Sequence, residues 1–299
     1  MDHLDIPLLH KLLNRPRDSH KYDFGRVLVI GGSQSMAGAP VLAGKAALRS
    51  GAGVVELCVP DCVVSVVAGF DPCLITHGLP SDDSGCFSPD GMQALHALAA
   101  RADIVVCGPG LGRSPGLVPI VEALWRELPQ SMLVDADALY ALSGLDAATM
   151  AQHGGERILT PHAGEMSRLL GLKAGSKPDR SALEQSAAEF ARQVGAVVVL
   201  KGQNSLVADG ERLTHNASGN PGMATAGTGD VLSGIIAALL AQQLPPAEAA
   251  RLGVWVHGLA GDAAAKALGE LALTANDVID FLPEIWQQLR LETSAGFPA

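Results

Sequence analysis

The stretch Ala226-Gly227-Thr228-Gly229-Asp230 sets two glycines and an acid directly ahead of the apolar run Val231 to Ala241. Gly227 and Gly229 can take backbone angles that other residues avoid, so several N–H groups can turn toward one point where a helix starts. The helix dipole adds partial positive charge there. Ala226 to Asp230 is therefore a candidate cradle for a nucleotide phosphate or for a phosphoryl group in flight. A carboxylate in such a place repels an anion. Asp230 either caps the helix, holds a metal ion, or takes a proton from an attacking hydroxyl, and the stretch alone leaves all three open.

Other chemistry-bearing residues share one kind of position. Gly31-Gly32-Ser33, Gly108 to Gly112, Asp135 with Asp137, Thr160 to Glu165, and Lys201-Gly202 each follow the carboxyl end of an apolar run. In an open α/β sheet that edge is the ligand crevice. His162 can meet a ligand's polar group or serve as a hydrogen-bonded loop residue. Glu165, Asp135 and Asp137 can hold a metal through water, or stand at helix starts. Lys201 can neutralise phosphate charge or extend its stem along the surface. The common nucleotide signatures fail: position 113 is Arg, which breaks G-x-G-x-x-G after Gly108, and Gly44-Lys45 lacks the flanking residues of a Walker A loop.

The elements that must position these residues alternate along the chain. Short apolar runs at 27–30, 54–59, 103–107, 132–134, 157–159 and 197–200 read as strands. Helical stripes separate them: one opened by Pro40, one over 91–100, and one carrying Leu117, Ile120, Val121, Leu124 and Leu128 on a single face. Leu183, Ala187, Phe190, Ala191 and Val194 mark another. Runs at 205–208 and 212–215 read as a hairpin turned at Asp209-Gly210. Helices over 229–242, 246–268 and 274–290 close the chain, and residues 61–90 give no clear pattern. Strands alternating with helices imply a mostly parallel sheet covered on both faces. One domain over 25–290 is expected, with a polar lead of 1–24 and a tail of 291–299.

Twenty-one basic against 31 acidic residues give a net charge of −10, which argues against a nucleic-acid or anionic-membrane surface. Any anionic ligand must be held by local N–H groups and a few cations. Five cysteines with no CxxC pair suggest neither a disulfide framework nor a zinc site. No basic leader and no apolar run of about 18 residues is present, so a cytoplasmic location is expected.

The motif set Gly31-Gly-Ser with Gly38-Ala39, Gly108-Pro-Gly-Leu-Gly112, Asp135-Ala-Asp-Ala-Leu139, Thr160-Pro-His-Ala-Gly-Glu165, Lys201-Gly202 and Asn220 to Asp230 resembles the ADP/ATP-dependent NAD(P)H-hydrate dehydratases of the ribokinase-like superfamily. The likeness spans about residues 25 to 285. It implies a three-layer αβα sandwich with a mostly parallel central sheet. It also implies that Ala39, Gly110, His162 and Asp230 contact the hydrated dinucleotide. Lys201, Gly202, Gln203, Asn204, Ser205 and Gly229 would hold ADP or ATP, with Gly227 and Gly229 forming the anion hole and Asp230 deprotonating the acceptor hydroxyl. Ser205 stands where the family usually has Thr, and both offer a hydroxyl. Magnesium would bridge the nucleotide phosphates, with Glu165 and Asp135 as candidate holders through water. The resemblance further implies a homotetramer and, because 24 leading residues are too few for an epimerase domain, a separate NAD(P)HX epimerase as metabolic partner. Two rivals remain: a small-molecule kinase of the same superfamily, acting on a hydroxymethylpyrimidine, a hydroxyethylthiazole or a sugar, and a nucleotide-binding protein without turnover.

Overall fold

The computed structural model describes residues 6–295 except 174, 176 and 177. Nine strands form one sheet: β1 (Arg26–Ile30), β2 (Val54–Pro60), β3 (Ile75–Leu79), β4 (Ile104–Cys107), β5 (Ser131–Val134), β6 (Arg157–Leu159), β7 (Val197–Leu200), β8 (Leu206–Ala208) and β9 (Leu213–His215). Their order is β3-β2-β1-β4-β5-β6-β7-β8-β9. The first seven in that order run parallel, and β8 and β9 are antiparallel at one edge. Because β1, β4, β5, β6 and β7 are parallel, everything that follows their carboxyl ends emerges on one rim. The hairpin turns on Gly210 (φ 89) and Glu211 rather than on Asp209-Gly210, since Asp209 N–H still donates to the Arg212 carbonyl at 3.3 Å.

The helices are α1 (Ile6–Leu13), α2 (Gly38–Arg49), α3 (Val64–Val67), α4 (Met92–Ala99), α5 (Leu117–Glu127), α6 (Ala136–Leu142), α7 (Ala147–Met150), α8 (Ala163–Leu169), α9 (Arg180–Val194), α10 (Thr228–Ala241), α11 (Pro246–Leu268) and α12 (Ala275–Ala295). They cover both faces of the sheet. Val27, Val29, Val55, Leu57, Ile104 and Val106 pack with α2, α10, α11 and α12, whereas Leu28, Ile30, Val105, Cys107, Met132 and Val134 pack with α4, α5, α6 and α9. This alternation is the period of two expected of a strand, here with both faces buried, and it yields the three-layer αβα sandwich.

Residues 61–90, unpatterned in the sequence, contain α3 and the edge strand β3. Ile-Thr-His-Gly-Leu carries no apolar run because β3 has one neighbour and exposes Ile75. Gly78 is required there, since a Cβ would lie 2.5 Å from the Val64 side chain of α3. The supposed polar lead holds α1, whose Leu9 is buried in the core of the α10 face, while residues 1–5 lie outside the described residues. α12 runs five residues into the supposed tail, and 296–299 lie outside the described residues.

Candidate active site

Small residues fix where α10 sits. Ala43, Ala46 and Ala47 of α2 are fully buried, and a Cβ on Gly234 of α10 would approach the Ala43 carbonyl to 2.1 Å. The two helices are therefore in backbone contact, and the mouth of α10 is held against the sheet rim. Gly227 takes a left-handed conformation (φ 93) at the N-cap, where no side chain caps the helix. Thr228 Oγ1 anchors the preceding loop by donating to the Met223 and Thr225 carbonyls at 2.9 and 3.0 Å. The first N–H groups of an α-helix have no intrahelical partner, so this uncapped end presents donors and a positive dipole end together.

Beside that mouth lies a charged cluster. Lys201 Nζ donates to Asp135 Oδ1 at 2.6 Å and stands 4.0 Å from Glu165 Oε2, while Ser233 Oγ of α10 donates to Asp135 Oδ2 at 2.9 Å. Asp135 is 1% exposed. A Cβ on Gly229 would lie 3.3 Å from Lys201 Nζ and 3.8 Å from Asp135 Oδ2, so glycine lets the lysine and the helix mouth meet. Burial, aided by repulsion from Asp135 and Asp137 and opposed by Lys201, raises the Asp230 carboxyl to about 7. Asp230 makes no side-chain cap, and nothing among the described residues hydrogen-bonds its carboxylate. Of the three readings of this acid, capping is set aside; a proton acceptor poised near neutrality fits.

The predicted residues divide into two groups. A cavity of about 590 Å³ takes Lys201, Gly202, Gln203, Asn204, Ser205 and Gly229. Its volume suits one nucleotide. Ala39 and Gly110 meet elsewhere on the rim: a Cβ on Gly110 (φ 64) would lie 2.9 Å from the Ala39 Cβ. Gly108 stands against the Asp135 carbonyl, and Asp137 accepts from Gly112 N–H at 3.0 Å, which ties this second group to the charged cluster. His162 bridges to Lys201 through the backbone at the end of β6. A larger hollow of about 650 Å³ beside α1 contains none of the strand-end residues.

The acidic candidates have partners within the protein. Glu165 and His162 form a reciprocal cap on α8: Glu165 Oε2 accepts from His162 N–H at 2.8 Å, and His162 Nδ1 accepts from Gly164 N–H at 3.0 Å. The structural role envisaged for Glu165 is thus present. Asp135 sits at the N-cap of α6 without capping it; both of its oxygens face Lys201 and Ser233 instead. No group of three His, Cys, Asp or Glu able to hold a metal ion exists among the described residues, which bears on direct ligation and leaves the expected holding of magnesium through water by Glu165 and Asp135 as a proposal.

Two contributors escaped the sequence reading. Ser233, fully buried, has no motif beyond standing one helical turn after Asp230. His257 of α11 lines the same cavity. Its Nε2 is buried without a partner; burial, reinforced by the Lys201 charge, lowers its pKa to about 4 despite a hydrogen bond to the Thr228 backbone. It is a neutral imidazole at pH 7. Only its spacing of 27 residues after Asp230, on a different helix, was visible, and that spacing has no local meaning.

A mostly parallel sheet with a glycine-acid helix mouth on its carboxyl rim defines a ribokinase-like protein. A ribokinase-like superfamily protein of Enterococcus faecalis superposes with a TM-score of 0.79 at 27% identity, covering 96% of this chain and 95% of that one. The chain belongs to the NAD(P)H-hydrate dehydratase family, whose model matches residues 27–284. It is 44% identical over 284 residues to the bifunctional NAD(P)H-hydrate repair enzyme of Moorella thermoacetica, covering 94% of this chain and 53% of that protein. The chain thus spans about half the length of this curated relative. The ADP/ATP-dependent NAD(P)H-hydrate dehydratase of Bacillus subtilis, co-crystallised with ATP and magnesium, superposes with a TM-score of 0.79 at 27% identity over 95% of this chain and 97% of that one.

Proposed function

We propose that this chain, through a single catalytic domain over residues 25–290, restores hydrated NADH and NADPH, (6S)-NAD(P)HX, to NAD(P)H at the expense of ADP or ATP. The observation that carries the reading is the unbonded, proton-poised Asp230 at an uncapped helix mouth, next in sequence to Gly229 of a nucleotide-sized cavity. Family membership supports the choice of substrate.

The chemistry needs only phosphoryl transfer. The hydrate carries a hydroxyl on the carbon beside the ring nitrogen. Asp230 takes the hydroxyl proton as that oxygen attacks the terminal phosphorus of the nucleotide, and the bond to the nucleotide's bridging oxygen breaks. The N–H groups of Ala226 to Gly229 hold the developing charge. The ring nitrogen's lone pair then expels phosphate, and loss of a proton from the adjacent carbon restores the ring double bond. Lys201 adds positive charge at the nucleotide side, and Asp135 fixes its position. Magnesium, when bound, would neutralise phosphate charge, with Glu165 and Asp135 as its candidate holders through water. Cytoplasmic location, homotetrameric assembly and an NAD(P)HX epimerase as metabolic partner are part of the same proposal.

Pure protein mixed with magnesium, ADP or ATP and hydrated NADH tests it. Rising near-ultraviolet absorbance of reduced nicotinamide with release of free phosphate is the expected result. A stable phosphorylated product would point to the small-molecule kinase, and nucleotide binding without turnover would point to a sensor.

A further inference from the structure

We infer that Arg180 is a positioning residue for the loop Lys201 to Ser205, holding its backbone in the strained shape that lines the nucleotide cavity. The inference rests on the proposed function only in reading that cavity as the nucleotide site. Arg180 opens α9, outside every motif that drew attention in the sequence. Its Nη1 donates to the Lys201 carbonyl at 3.2 Å, and its Nη2 donates to the Leu200 and Asn204 carbonyls at 3.2 and 3.5 Å. Three carbonyls from the two ends of one loop therefore converge on a single guanidinium. A rigid planar fork can satisfy them together, whereas a lysine ammonium on a flexible stem cannot keep that geometry.

The fork is itself held. Nε donates to Glu184 Oε1 one turn along α9 at 2.7 Å, and Glu184 Oε2 meets His215 Nε2 of β9 at 3.0 Å. A continuous frame thus runs from β9 through α9 to the loop. The loop needs such a frame because Gly202 (φ 146) and Asn204 (φ 54) both take positive φ. A non-glycine residue in the left-handed region persists only where its surroundings over-determine it. Gly202 has a second reason to be glycine: a Cβ would lie 3.0 Å from Arg180 Nη1. Ser205 Oγ donates back to the Gly202 carbonyl at 3.1 Å, so the clamp outside and the hydroxyl inside enforce one conformation.

The test compares wild type with Arg180→Lys, Arg180→Ala and Arg192→Ala, the last an exposed residue of α9 whose ion pair is with Glu189. Amide hydrogen exchange of the ligand-free proteins reads the loop directly, and calorimetric titration with ADP reads the cavity. Both Arg180 variants should exchange amides 202–205 about tenfold faster or more and bind ADP about tenfold more weakly, with Arg192→Ala unchanged. Exchange at 202–205 equal to wild type in Arg180→Lys, which keeps the charge and the fold, overturns the inference. So does undiminished ADP binding by a wild-type-like Arg180→Lys. A wild type that binds neither ADP nor ATP sinks the proposed function instead, and the exchange data still decide the clamp.

Discussion

Replacing Asp230 by Asn should slow turnover and stabilise the fold, and the second effect should depend on pH in a particular direction. Burial and the neighbouring acids lift the folded-state carboxyl from an ordinary 3.8 to about 7. At about 1.4 kcal/mol for each tenfold change in acidity this is a ceiling of about 4 kcal/mol, and partial exposure of Asp230 reduces it to about 2 kcal/mol. The sign follows from which state ionises first. Below about pH 4 the carboxyl is neutral in both states, and Asn brings no advantage on this account. Between about 4 and 7 the unfolded chain ionises while the folded one keeps its proton, so wild-type stability falls as pH rises. Above about 7 both states are ionised and the deficit stays constant. Urea unfolding at pH 5 and pH 8 should therefore show a stability advantage for Asp230→Asn that is larger at pH 8 by about 1 kcal/mol or more. Turnover, followed by nicotinamide absorbance, should fall by about 10² to 10⁴. A stability difference that is the same at both pH values would refute the electrostatic reasoning, and near-normal turnover would remove Asp230 as the base.

Other expectations follow from the same geometry. Lys201→Met leaves Asp135 buried and unpaired, so unfolding free energy should drop by about 3–5 kcal/mol, and adding Asp135→Asn should recover part of it in a denaturation series. Gly234→Ala drives a methyl into the Ala43 carbonyl and should cost about 1–3 kcal/mol by thermal or urea unfolding, with activity falling as α10 shifts. With Asp230 as base, kcat/KM should rise with pH and level off above about 7. That limb should survive His257→Asn, because His257 already titrates near 4. Chelation of magnesium should abolish turnover while circular dichroism stays native, since no protein cage among the described residues depends on the ion.

Much of the fold was legible because the buried strands write themselves as β-branched runs: Val27 to Ile30, Ile104 to Cys107 and Val197 to Leu200 have no polar face to disguise them. β3 was illegible for the opposite reason. An edge strand with a half-exposed pattern needs no apolar run, and its identity comes from pairing with β2, a non-local fact. Arg157 shows the same limit inside the core. It is 1% exposed, yet nothing in its sequence neighbourhood announces that its guanidinium donates to the Trp125, Leu128 and Gln130 carbonyls. A charge can be buried only where partners exist, and those partners come from other segments.

The site divides along the same line. Residues fixed by their own loop, such as Gly227 at φ 93 before an apolar helix, could be picked out because the local backbone demands glycine and the dipole demands an anion. What makes Asp230 chemically distinctive is assembled from afar. Asp135 comes from the end of β5, Lys201 from the end of β7, and the small-residue contact of α2 with α10 sets how deeply the acid is buried. The loop gives the acid its place, and the sheet order gives it its proton affinity. Sequence reasoning reached Asp230 through the first of these. Asp135, a candidate there for holding magnesium through water, also carries an ion pair that only the second could supply, with an ammonium 2.6 Å from its oxygen.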